Sequence, residues 1–328
     1  MRKIFLIVVS ALILNFSTVF AAAAWNFPQD SVKLEGTSKQ NYIAEKMNAL
    51  FHPAPNAKPA AINFEVPDGW NYEKFELDGL PCEVLENPNT DTERVVLQLH
   101  GGGYVLPLRN GHRNLGIIQG VLADAKQVYM IDYRIAPQNT FPAAQEDAVK
   151  AYKEILNRGI APENIIVIGD SAGGNLTLAL SIYLKENNLP QPKLNILVSP
   201  WAAMTTNFPS RKYNETRDLV LGKGYSPLFE AIKKPAYAKG YKVKDPRLSP
   251  IYADLKNFPT MLIQSGGYEL LLDECIELAK KAAADDVKVV LTVYPGMPHD
   301  FALMLPELQD SLDSFKEIQD FINQNMDD

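Results

Sequence analysis

Cysteine is nearly absent: Cys82 and Cys275 are the only two in 328 residues. Two are too few for a disulfide framework, and they could pair only if the fold brought them together. Histidine is scarce as well. His52, His100, His112 and His299 are scattered, with no metal-ligand spacing among them. Internal repeats and low-complexity tracts are missing, which excludes solenoids and collagen-like chains. Positive charge is in deficit, and a net charge of −7 argues against nucleic acid as a general partner. What remains, at 46% hydrophobic and 22% charged, is an ordinary globular composition, neither disordered nor polytopic. A chain of this length can bury a full core without disulfide or metal staples.

The N-terminus is read apart from the fold. Arg2 and Lys3 are followed by an uncharged run from Ile4 to Ala24 that ends in four alanines. A basic start, an apolar stretch and a small-residue exit describe a secretory signal peptide, cleaved after Ala22 to Ala24. The competing reading is an uncleaved N-terminal membrane anchor, because such a run can just span a bilayer. Asn15, Ser17 and Thr18 interrupt its second half and favour cleavage. The expected address is therefore periplasmic or secreted, with no stable membrane span after cleavage.

The remainder alternates between strand-like and helix-like segments. A helical piece around Ser38–Leu50 precedes a Pro/Ala loop at 52–60 that looks like a boundary. Short β-like runs follow at Tyr72–Leu77 and Leu80–Leu85. Apolar, β-branched runs then recur at Val95–Leu99, Val128–Ile131, Ile165–Ile168, Leu194–Val198, Thr260–Ile263 and Val287–Val293. Helical patterns fall at His112–Ala123, Ala143–Leu156, Asn175–Lys185, Asp273–Ala284 and Glu307–Asn323. Apolar strands alternating with helices predict an α/β fold: a mostly parallel eight-stranded sheet flanked by helices.

One segment breaks the alternation. Residues 201–244 hold no good strand, are rich in aromatics, and carry nine Lys/Arg against three Asp/Glu. A long insertion in a compact domain is often functional, and this one reads as a helical lid over a pocket. Its aromatics could equally fill a small core of their own; the two readings are compatible.

The chemistry begins at Gly169-Asp170-Ser171-Ala172-Gly173-Gly174. G-x-S-x-G alone arises by chance, but here it follows a buried strand and opens a helix. Strand, sharp turn and helix make a nucleophile elbow, whose strained serine needs small residues two before and two after it. Upstream, His100-Gly101-Gly102-Gly103-Tyr104 follows the strand Val95–Leu99. Three glycines there could be a flexible turn. They also let backbone N–H groups converge on one point, as an oxyanion hole requires, together with the N–H after the nucleophile, Ala172.

A serine hydroxyl needs a base. In this fold the base follows the acid, which follows the serine, and only His299 stands after the last core strand. The acid belongs after Thr260–Ile263, where Glu269, Asp273 and Glu274 compete. Asp273 and Glu274 fall in the first turn of the next helix, where the helix dipole favours them anyway. Glu269 has no such explanation and is preferred, with Asp273 the alternative.

These stretches resemble the hormone-sensitive-lipase-like family of α/β-hydrolase esterases. The likeness runs from His100 to Phe301 and rests on HGGGY (100–104), DYRIAPQNTFPAAQEDA (132–148), GDSAGG (169–174), DPRLSP (245–250), YELLLDE (268–274) and MPHDF (297–301). It implies Ser171 as nucleophile, His299 as base, and Gly101, Gly102 and Ala172 as oxyanion donors. The family acid is usually aspartate, and that position is Glu269 here. Gln138 is a smaller departure, standing where the family usually has Glu. The resemblance also implies a helical cap built from residues 25–60 and 201–244. The organisation expected is a signal peptide at 1–24, the two cap pieces, and a hydrolase core at 61–200 and 245–328.

The expected activity is hydrolysis of short- to medium-chain carboxylic esters, small-molecule substrates, through an acyl-enzyme and with no metal or organic cofactor. An amidase or deacetylase on the same triad, or a non-catalytic binding protein on the same scaffold, are the alternatives.

Overall fold

The structure is a computed structural model that describes residues 31–53, 62–226 and 228–326. The expected signal peptide lies outside the described residues, as does part of the first cap piece. No described helix is long and apolar enough to cross a membrane.

Eight strands form one sheet: β1 (Asn71–Leu77), β2 (Leu80–Glu86), β3 (Val95–Leu99), β4 (Gln127–Ile131), β5 (Ile165–Asp170), β6 (Leu194–Val198), β7 (Thr260–Gly266) and β8 (Val289–Tyr294). Their spatial order is β1-β2-β4-β3-β5-β6-β7-β8. The first two pairings are antiparallel and the other five parallel. This is the mostly parallel eight-stranded sheet expected from the alternation, in the α/β-hydrolase arrangement that the resemblance implies.

The strands β3, β5 and β6 are buried at every position, as continuous Val/Ile/Leu runs demand when helices cover both faces. The edge strands differ. β1 is largely exposed, and β8 keeps Val290 and Val293 open to solvent. The last strand was expected from Val287. It begins two residues later, at Val289, with Lys288 O accepting from Met261 N just ahead of it.

Helices α1 (Gly36–Phe51), α2 (Asn110–Leu122), α3 (Ala143–Asn157), α4 (Ala172–Glu186), α7 (Leu272–Ala284) and α9 (Gln309–Met326) are the long ones. Among the described residues, 201–244 hold only the short helices α5 (Ser210–Tyr213) and α6 (Leu228–Lys233) and a single 3-10 turn, and α8 (Phe301–Met304) follows the last strand. Cys82 and Cys275 are buried and free, on β2 and α7.

Topology fixes where a site can form. From β3 the chain crosses to β4 on one side, while β5 lies on the other, and ligands in open α/β sheets bind outside the carboxyl ends at such a switch point. Leu99 pairs with Gly169 at the ends of β3 and β5, so the glycine loop and the elbow emerge side by side. Gly266 pairs with Tyr294 at the ends of β7 and β8, which brings the loops carrying Glu269 and His299 together.

Candidate active site

Ser171 stands between β5 and α4 with φ 51° and ψ −115°, a backbone conformation that side chains rarely adopt. Such strain costs roughly 1–3 kcal/mol and persists only where surroundings enforce it. The enforcement is main-chain: Ser171 N donates to Val198 O at 2.9 Å, and Ser171 O accepts from Trp201 N at 2.9 Å. Close packing does the rest. A Cβ on Gly173 would strike the Leu99 carbonyl, and one on Gly169 would strike Gly173 O. The GxSxG glycines are steric necessities.

The glycine loop lies beside the elbow. Tyr133 stacks on His100 with ring centroids 4.1 Å apart and donates to His100 O at 2.6 Å. Tyr104 donates to Asn175 Oδ1 at 2.7 Å, and Asn175 Nδ2 donates onward to Trp201 O and Leu248 O. Asn175 thus ties the loop, the helix after the serine, the start of the insertion and the segment just past its end into one buried network. No sequence pattern had singled it out. Gly102 and Gly103 N–H meet no backbone acceptor among the described residues. Ala172 opens α4, where first-turn N–H groups have no intrahelical partner. A Cβ on Gly101 would overlap Asp170 Oδ2, so the Gly101 backbone packs directly on that buried side chain.

His299 links the two halves of the site. Its Nε2 is 2.8 Å from Ser171 Oγ, and its Nδ1 is 3.2 Å from Glu269 Oε2. Glu269 is wholly buried. Its Oε1 accepts from Ser199 Oγ at 2.6 Å and from Gly266 N. Burial raises the Glu269 pKa, and the hydrogen bonds from His299, Gly266 and Ser199 oppose that rise.

Asp300 also approaches His299 Nε2, at 3.1 Å. Burial alone would push the His299 pKa down, but Asp300 and then Glu269 outweigh it and hold it well above the usual 6.5. Asp170 behind them is pushed well above the carboxylate range by burial and by Asp300. Ser199 and Asp300 are both in left-handed backbone conformations and were not among the expected site residues, although Asp300 lies within the MPHDF stretch.

The remaining histidines are accounted for by their surroundings. His100 and His112 are buried 5.0 Å apart, and burial lowers them to about 4 and about 3, so both are neutral at physiological pH. His52 is exposed and faces Tyr225 of the insertion at 6.1 Å.

The competing acids point elsewhere. Asp273 accepts from Ser210 N at 2.8 Å and from Tyr213 OH at 2.7 Å. Glu274 is fully buried against Arg211 at 3.2 Å, with its pKa pushed up to about 8 by burial. Both stand in the first turn of α7, as expected, and both also seat the insertion on the core.

A family model described as the alpha/beta hydrolase fold matches residues 96–303. An esterase of Acinetobacter venetianus is 32% identical over 249 residues, which cover 74% of this chain and 80% of that protein. The chain belongs to the hormone-sensitive-lipase-like family of α/β-hydrolase esterases. The ethyl acetate hydrolase of Pseudomonas putida is 30% identical and covers 69% of this esterase and 72% of its own length. A solved esterase from the bacterial hormone-sensitive lipase family superposes with a TM-score of 0.77 at 29% identity, over 89% of this chain and all of that one.

Proposed function

We propose that this carboxylesterase works through Ser171, His299 and Glu269 and forms an acyl-enzyme. The carrying observation is the unbroken run of contacts from Ser171 Oγ through both ring nitrogens of His299 to Glu269. As Ser171 Oγ bonds to the ester carbonyl carbon, its proton passes to Nε2, and Glu269 stabilises the resulting imidazolium. The carbonyl oxygen becomes an oxyanion, met by main-chain N–H groups. Collapse breaks the bond to the leaving oxygen, which takes the proton from Nε2 and departs as an alcohol. Water then repeats the sequence on the acyl-enzyme.

For the oxyanion hole, the free N–H groups support Gly102 and Ala172, with Gly103 alongside. Gly101, whose N–H likewise meets no main-chain acceptor among the described residues, is the third proposed donor.

We further propose a catalytic core at 61–200 and 245–328, capped by 25–60 and 201–244, with 1–24 removed on export. The cap reading is supported where the insertion meets the glycine loop. Tyr237 stacks on Tyr104 with centroids 4.1 Å apart, and Leu228 sits 3.5 Å from where a Gly103 Cβ would be. A packed cap limits acyl length, so short- to medium-chain esters are the proposed substrates. The relative named for ethyl acetate hydrolysis fits that range.

The test is a series of p-nitrophenyl esters from acetyl to palmitoyl, with wild type and Ser171→Ala. Turnover is expected to peak at short acyl chains and to fall about a millionfold in the variant, the scale of losing a triad nucleophile. Faster palmitoyl than butyryl turnover contradicts the cap argument, and an active Ser171→Ala contradicts the mechanism.

A further inference from the structure

Asp218 lies in the insertion, outside every motif, and its carboxylate is completely buried. A buried carboxylate is tolerated only when hydrogen bonds replace its water. Asp218 accepts four, all from main-chain N–H groups. Oδ1 receives Val220 N at 3.0 Å and Leu221 N at 3.1 Å, which fix its own turn. It also receives His299 N at 3.3 Å, while Oδ2 receives Leu270 N at 2.8 Å. The last two donors are 81 and 52 positions away in sequence, on the two loops that carry the base and the acid.

One turn earlier, Asn214 accepts Asp218 N through its carbonyl at 3.0 Å and donates from Nδ2 to Glu269 O at 2.8 Å and Gly267 O at 3.3 Å. Glu269 is therefore gripped on both sides. Asn214 holds its carbonyl, and Asp218 holds the N–H that follows it. Arg217, between them, lies over the Tyr268 ring at 3.8 Å.

We propose that Asp218, assisted by Asn214, is a positioning residue that sets the backbone of His299 against that of Glu269. The proposal rests on the Ser171–His299–Glu269 reading. Its chemical reason is the lack of slack between base and acid. Their 3.2 Å separation is already at the long end for a hydrogen bond to nitrogen, and displacement by about 1 Å can cost about 100-fold in rate. Charge-assisted bonds to main-chain N–H groups hold such a geometry more firmly than neutral ones. The insertion thus does more than cover the site: it completes the acid side.

The experiment uses the full chain and p-nitrophenyl acetate. Asp218→Asn keeps the shape but turns an NH2 group toward main-chain N–H donors. Its kcat is expected to fall roughly 30- to 100-fold with KM within about 2-fold of wild type. Ile155→Ala, in the core of α3, controls for stability alone: it lowers the melting temperature and keeps kcat within about 2-fold. If Asp218→Asn does not fold, Asn214→Ser takes its place, with an expected kcat loss of about 10-fold at unchanged KM. Ser171→Ala is measured in parallel. An inactive Ser171→Ala together with an Asp218→Asn (or Asn214→Ser) whose kcat stays within 2-fold, or whose loss lies in KM, overturns the positioning role. An active Ser171→Ala removes the triad reading first and this proposal with it.

Discussion

His299 has two sides, and they are built differently. Toward Ser171, the geometry comes from short-range backbone features: a strained serine, glycines that admit close main-chain approach, and two adjacent parallel strand ends. Toward Glu269, it comes from polar side chains reaching in from elsewhere. Ser199, Asn214 and Asp218 grip the acid and histidine loops, and Gln40 of α1 donates to Gly296 O at 3.0 Å. The serine side can be written into a motif because its constraints are local. The acid side depends on how the insertion and the N-terminal helix dock, so its parts are dispersed along the chain.

The largest effect that breaks this comparison is expected at its centre. Glu269→Gln keeps the size but loses the charge that stabilises the imidazolium and orders its tautomer. Turnover at pH 8 is expected to fall about 10⁴-fold, with folding checked by thermal melt. Glu269→Asp, shorter by one methylene, is expected to retain an intermediate activity, which separates reach from charge.

Gly173→Ala attacks the local side instead. Its Cβ would meet the Leu99 carbonyl, so either β3 or the elbow must shift. Overpacking of this kind costs about 1–3 kcal/mol, and a displaced nucleophile loses about 100-fold in rate. Melting temperature and kcat should therefore drop together. On the acid side, Asp218→Asn is expected to separate the two.

Asp300→Asn sharpens the picture of the base. Only neutral His299 can accept the Ser171 proton, so activity rises with pH through its pKa. Asp300 is the first contributor to raising that pKa against burial, and removing its charge should move the acid limb of kcat/KM to lower pH. An unmoved limb would mean that the Asp300 carboxylate does not act on the base.

The smallest effect is expected at Asp273→Asn. Its partners are Ser210 and Tyr213, not His299. Turnover should stay within about 3-fold, and a thermal melt should show a loss of about 1 kcal/mol, typical of a helix-start charge.

How much of this was legible in the sequence follows the same division. The eight strands and the elbow's strand–turn–helix setting were readable, because periodicity and glycine spacing report on local backbone. Glu269 could be preferred from its loop position alone, since Asp273 and Glu274 had a helix-dipole explanation. Their further partners, Ser210, Tyr213 and Arg211, stand about sixty residues away, and no local pattern announces them. Asn175, Ser199 and Asp218 were invisible for the same reason: each meets main-chain or side-chain groups from distant segments, whereas Asp300 stands in MPHDF beside His299 and the motif does not record that its carboxylate turns back to the ring. The glycine loop was legible as a loop. That Gly101 packs on Asp170 depends on the pairing of β3 with β5, which the motif does not record.

The most direct measurement is covalent labelling of the full chain with diethyl p-nitrophenyl phosphate, followed by peptide mass spectrometry. A serine esterase assembled around Ser171 should release one p-nitrophenol per chain, lose its activity in step, and carry one diethylphosphoryl group on Ser171, with no label on Ser171→Ala. Stoichiometric labelling at another residue, or full labelling with activity intact, would contradict the account.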